Sequence, residues 1–151
     1  VSCSSLRVDT LTAHMVAMFV RAQQQQVTLA IESGSPRVRT AIHKHLDQQA
    51  IWRAADVLTQ AGMPGLKLYT MVGLPTETED DIDQTVQLAR DIKKAHPRLK
   101  LTLGASSFVP KAATPFQWLA RADDKLLEQR LAQKTRGLQK EAQFRPGSVK
   151  W

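Results

Sequence analysis

The chain has 151 residues, 42% hydrophobic and 23% charged, which suits one globular domain with a sizeable core. No apolar run approaches 18 residues, so no transmembrane helix is expected, and no basic stretch followed by an apolar segment precedes the first strand pattern, which argues against a signal peptide. The net charge of +7 raises nucleic acid as a partner, but the basic residues (Arg90, Lys93, Lys94, then Lys125, Arg130, Lys134, Arg136 and Lys140) run along helical stretches among acids, without an aromatic platform. A solvated face is the expectation, and nucleic acid is not.

The pattern begins inside a strand-like run at Val1, which leads to the expectation of a fragment. One cysteine, Cys3, supports neither an intrachain disulfide nor a multi-thiolate metal site, so a reducing compartment, the cytoplasm, is expected. Alternation predicts a first strand over residues 5–9, then a helix capped by Thr12 with Met15, Val16, Phe19 and Val20 apolar. A second strand over 27–32 runs into Glu32-Ser33-Gly34-Ser35-Pro36, where Ser35 caps a helix with proline at its first position. That helix breaks near Asp47; Ile51, Ala54, Ala55 and Leu58 form the next stripe, which Gly62 and Pro64 end. A third strand over 66–72 runs into Gly73-Leu74-Pro75-Thr76-Glu77-Thr78, with Thr78 capping a helix. Glu79, Asp80 and Asp81 in its first turn and Lys93 and Lys94 in its last suit the helix dipole. Pro97 stops it, a fourth strand follows over 100–106, and a last helix opens near Asp123 with Leu127, Leu131 and Leu138 apolar.

Strands alternating with helices at this spacing imply right-handed βαβ units in a parallel sheet. Two strand-to-helix corners of one design place a ligand site at the strands' carboxyl ends. The period of two also sorts each strand into two faces. One face is apolar, as in Val27, Leu29 and Ile31 or Leu66, Leu68 and Val72. The other is polar or small: Arg7 and Asp9; Thr28, Ala30 and Glu32; Lys67, Tyr69 and Met71; Thr102, Gly104 and Ser106. The fold class read from this is α/β, a partial (βα) barrel of about four parallel strands with outer helices, whose lumen holds something polar. A two-layer sheet with one face open to water is the other architecture the pattern allows.

Four segments in order carry a family likeness: Ser5-Leu6-Arg7-Val8-Asp9; Ala30-Ile31-Glu32-Ser33-Gly34-Ser35-Pro36 with Ile42-His43-Lys44; Lys67-Leu68-Tyr69-Thr70-Met71-Val72-Gly73-Leu74-Pro75-Thr76-Glu77-Thr78; and Ser107-Phe108-Val109-Pro110-Lys111 with Thr114-Pro115-Phe116-Gln117-Trp118. The series resembles the later half of a radical S-adenosylmethionine (SAM) core, in an uncharacterised branch whose longer members carry a cobalamin-binding-like region. The likeness covers about residues 4–118, plus Phe144-Arg145-Pro146. It divides the chain into the C-terminal half of a truncated (βα)6-type barrel, 1–118, and a helix and tail, 119–151.

The resemblance implies two cofactors: SAM lying across the strands' carboxyl ends, and a [4Fe–4S] cluster that reductively cleaves it to methionine and a 5′-deoxyadenosyl radical. Cobalamin would be a further cofactor of the full-length protein. The family's Cys-x3-Cys-x2-Cys loop is missing here, so the cluster ligands would lie outside this chain and the chain itself would hold no metal. By the same resemblance Glu32 contacts the SAM ribose or amino group, Lys44 pairs with the SAM carboxylate, and Met71, Gly73 and Val109 meet adenine. Tyr69 lies at the ribose, where some relatives have an acidic residue. Arg7 and Lys67 face the lumen on the substrate side. Ala113 replaces a histidine that relatives carry in Lys-x-His-Thr-Pro.

The expected function is therefore the SAM-binding half of a radical SAM enzyme, inactive alone. The expected partners are the missing N-terminal half, SAM, and further copies of the chain through an unprotected sheet edge; no membrane is expected. The alternative is a non-catalytic ligand- or RNA-binding α/β module, and a local Glu32–Lys44 ion pair is the bland reading of those two residues.

Overall fold

In the computed structural model, which describes residues 5–138 and 143–146, the alternating runs become three parallel strands. These are β1 (Val27–Glu32), β2 (Gly65–Val72) and β3 (Lys100–Ser107). A short β4 (Gln143–Pro146) adds in parallel to β3, giving the order β1-β2-β3-β4. Register sets the apolar residues in rows: Val27 opposite Leu66 opposite Leu101, and Leu29 opposite Leu68 opposite Leu103. All six are buried under helices. The intervening rows, Thr28–Lys67–Thr102 and Ala30–Tyr69–Gly104, form the opposite, polar face. The architecture is α/β, a partial βα barrel that does not close.

Helix ends follow the local chemistry. In α1 (Ala13–Arg21), Thr12 accepts from the Met15 amide at 3.2 Å. Proline opens α2 (Pro36–Ala41), and the chain breaks before α3 (Gln48–Gln60) with His43 at φ 54°. In α4 (Glu79–Ala95), the Asp81 carboxylate accepts from both the amide and the hydroxyl of Thr78 at 2.7 Å. In α5 (Asp124–Leu138), Asp123 accepts from the Leu126 amide at 2.7 Å. The main core joins the sheet's apolar face to Val16, Ile51, Leu58, Val86, Ile92 and Leu138.

Residues 5–9 depart from the predicted strand. Only Leu6 pairs, in a single parallel bridge to Leu29, with its amide on the Thr28 carbonyl at 2.8 Å. Val8–Thr10 then closes a 3₁₀ turn, held by the Thr10 hydroxyl on the Arg7 carbonyl at 3.0 Å. The physical cause is local: the Arg7 carbonyl already accepts from both the amide and the hydroxyl of Thr10, at 3.4 and 3.0 Å, and so is committed to a turn and not to a ladder. Cys3 and Lys140 lie outside the described residues. No helix among the described residues is long and apolar enough to cross a membrane.

Candidate functional site

β1 ends in a distortion. Its register to β2 slips between Ala30 and Glu32, and Glu32 sits at φ 63°. A left-handed non-glycine residue at a bulge costs roughly 1–3 kcal/mol and is held only by its surroundings. The Glu32 carboxylate accepts from the Lys44 ammonium at 3.2 Å, with 21% and 29% of the two side chains exposed. Buried Arg39 builds this pairing. Its guanidinium donates to the Ser33 carbonyl at 2.8 Å, the Leu46 carbonyl at 3.0 Å and the Gln48 amide oxygen at 2.8 Å, tying the Lys44 loop to the Glu32 corner. Burial lowers the Arg39 pKa from its ordinary value.

The corner after β2 is held from below. Gly73, at φ 75°, donates its amide to Glu77 at 2.7 Å. A Cβ on Gly73 would lie 2.6 Å from Leu127 and 3.1 Å from Ala122, so the space that glycine leaves open is filled by the protein. Glu77 is buried against Arg130, which donates to its carboxylate at 2.7 Å and its carbonyl at 2.6 Å. Fully buried Lys134 donates to the Met71 carbonyl at 2.8 Å and the Thr70 hydroxyl at 3.2 Å. Burial brings Lys134 down to about 8, against the pull of Glu77. Burial likewise raises Glu77, against the pull of Lys134 and Arg130. Arg130 and Lys134 thus leave the solvated face on which the sequence pattern put them.

The two corners are stitched together. Asp81, 1% exposed, accepts from the Ser35 hydroxyl at 2.6 Å and from the Arg37 guanidinium, which also donates to the Thr76 carbonyl at 2.6 Å. Burial alone would raise the Asp81 pKa; the bonds from Arg37, Ser35 and Thr78 outweigh it and hold the carboxyl well below the usual range. Gly34 donates to the Thr85 hydroxyl at 2.9 Å and packs directly on the α4 backbone.

The predicted site residues fall into groups. Glu32 and Lys44 meet. Met71 and Gly73 share the β2 end, and half-buried Val109 lies just beyond β3, where the Phe108 amide bonds the Val72 carbonyl at 2.8 Å. Tyr69 donates to Ser106 at 2.9 Å, and the Lys67 ammonium lies 6.0 Å from the Tyr69 ring centre on the polar face. The Lys67 stem crosses β3 over Gly104, where a Cβ would come within 2.8 Å of it. Arg7 stands apart. Its side chain is 72% exposed and turned to Asp9, and it borders a cavity of about 130 Å³ shared with Lys44. A larger cavity of about 360 Å³ opens between the Gly73 corner, Phe108 and Leu119, with Arg130 on its wall. Sequence reasoning missed Arg39, Glu77, Arg130 and Lys134. The signal for Lys134 was its place on the Leu127–Leu131–Leu138 stripe.

The Glu32–Lys44 pair fits a zwitterion. One acceptor and one cation, both partly open, can each exchange its partner for the ammonium or carboxylate of an amino acid. An iron–sulfur cluster does not fit this chain's own residues. The described residues hold no group of three His, Cys, Asp or Glu arranged for a metal, and the chain has one cysteine.

The family model described as the radical SAM superfamily matches residues 1–89. An uncharacterized protein of Methanocaldococcus jannaschii is 34% identical over 117 residues, covering 78% of this chain and 25% of the relative. The tRNA-2-methylthio-N(6)-dimethylallyladenosine synthase of Clostridium beijerinckii is 30% identical over 71 residues, covering 46% of this chain and 15% of that enzyme. The chain spans a quarter or less of the length of these curated relatives.

Proposed function

As the chain belongs to the radical SAM superfamily, we propose that the carboxyl ends of β1, β2 and β3 hold SAM in a full-length radical SAM enzyme. A cluster bound by residues outside this chain would supply the electron that cleaves SAM to methionine and a 5′-deoxyadenosyl radical. This chain's part is to bind and orient. Lys44 donates to the SAM carboxylate, and Glu32 accepts from its amino group or ribose. Met71 and the Val109 backbone flank adenine. The Gly73 amide is committed to Glu77 at 2.7 Å, so this corner offers backbone surface to a ligand and not an N–H. Tyr69 faces the ribose, and Lys67 offers a cation on the substrate side; Arg7, turned to Asp9, would have to leave that partner to offer a second from the Lys44 side of the site.

The observation that carries this reading is Glu32: a carboxylate held at φ 63° at the end of β1, on a bulge, beside a lysine 3.2 Å away. Strain maintained at a strand's carboxyl end is a mark of a site. Lys44→Ala and Glu32→Ala in the full-length, cluster-loaded protein should each weaken SAM about ten- to a hundredfold, as expected for one charge-assisted bond of about 1.5–3 kcal/mol. Calorimetric titration measures this. Unchanged affinity in both variants would return the two residues to a local ion pair.

A further inference from the structure

Three α5 residues at helical spacing, Leu127, Arg130 and Lys134, bear on the end of β2. Leu127 fills the space beside Gly73, and Arg130 holds Glu77, which holds the Gly73 amide. Lys134 is fully buried, yet its two bonded acceptors, the Met71 carbonyl and the Thr70 hydroxyl, are both uncharged. Thr70 in turn donates to the Gly104 carbonyl at 2.9 Å, so one ammonium is tied to both β2 and β3.

Buried Glu77 calls for a cation nearby, but Arg130 already bonds its carboxylate at 2.7 Å, and Lys134 directs its bonds to the Met71 carbonyl and the Thr70 hydroxyl instead. Leucine would continue the Leu127–Leu131–Leu138 stripe without desolvating a charge, and well-packed apolar residues commonly match or exceed buried ions in stability. Departures from packing rules of this kind concentrate where function sets the geometry.

We propose that α5 is a clamp on the SAM site, with Lys134 a positioning residue that fixes the Met71 peptide and Arg130 one that fixes the Gly73 corner through Glu77. The inference rests on the reading of these strand ends as the SAM site. Met71 lies on the polar face at the end of β2, and its carbonyl is the group that Lys134 holds. Freed from that bond, the Met71 peptide can tilt, and the surface offered to adenine is lost without any direct contact being removed.

The test compares Lys134→Met with Leu138→Ala, a buried change on the same helix away from the β2 end, in the full-length, cluster-loaded protein. SAM affinity is read by calorimetry and backbone order by hydrogen exchange. Lys134→Met is expected to weaken SAM about tenfold and to speed exchange over residues 66–78. Leu138→Ala should lower stability and leave SAM affinity at the wild-type value. Wild-type affinity in Lys134→Met, or an equal loss in both variants, overturns the proposal. If Lys134→Met does not fold, Lys134→Gln, whose uncharged amide ends one bond short of the ammonium and weakens the hold on the Met71 carbonyl, enters the same comparison with the same expected and overturning results. Failure of the wild type to take up SAM would sink the site reading instead. What remains, the positioning of the β2 end by Lys134, is then judged on exchange alone: faster exchange confined to 66–78 upholds that positioning, and uniform change overturns it.

Discussion

Arg130→Met is expected to destabilise the fold by about 3–5 kcal/mol, because it leaves a buried carboxylate without its bonded cation. The Glu77 side chain is 1% exposed, and the residue would keep the Gly73 amide but lose both guanidinium bonds. The loss should depend on pH with a definite sign. Burial already raises the Glu77 pKa above its ordinary 4.5, and removing Arg130 raises it further. Below 4.5 the group is protonated folded and unfolded, and the charge penalty is absent. As pH climbs above 4.5 the unfolded chain releases its proton first, so stability falls through the raised folded value. Urea unfolding across pH would show Arg130→Met losing stability with rising pH more steeply than the wild type. The double variant Arg130→Met/Glu77→Gln should recover much of the loss at neutral pH, since an amide still accepts from Gly73 and carries no charge.

Gly34→Ala is expected to cost about 3 kcal/mol, at the upper end of overpacking effects, because the atoms in the way are main chain. The new Cβ would sit 2.4 Å from the Thr85 Cα, 3.0 Å from its amide nitrogen and 3.1 Å from the Gln84 carbonyl. Thr85 cannot retreat easily, since its hydroxyl accepts from Gly34 and donates to the Asp81 carbonyl, each at 2.9 Å. Moving α4 would pull Asp81 from Ser35 and Arg37 and loosen both corners together. Urea unfolding measures the loss. A change under about 1 kcal/mol would mean that the corner is softer than these contacts imply.

Most of the sheet was legible because period-two alternation and caps are local signals. The strand expected over 27–32 formed with those bounds, the break near Asp47 appeared, and Thr12, Pro36 and Thr78 open their helices. Residues 5–9 misled because Arg7 and Asp9 alternate like a strand face while the Arg7 carbonyl is taken by Thr10 across a turn. The cluster under Gly73 left one local trace, the place of Lys134 on the Leu127–Leu131–Leu138 stripe, and its partners were illegible for a different reason. Arg130 and Lys134 find partners 53 to 64 positions away, and a charged residue whose acceptor is that distant in sequence reads as solvated. At the candidate site the alternation reached the polar face and the two corners. The bulge that turns Glu32, and the Arg39 bonds that bring Lys44 to it, have no local signature.

The measurement that bears most directly on the central claim is reductive cleavage of SAM by the full-length, cluster-loaded protein under anaerobic conditions, with 5′-deoxyadenosine quantified by chromatography. The wild type is expected to form it, and Glu32→Ala, which removes the carboxylate held at the end of β1, is expected to form at least tenfold less at limiting SAM. Equal yields from Glu32→Ala and the wild type, or none from a wild type carrying its full complement of iron and sulfide, would contradict the assignment of these strand ends as the SAM site.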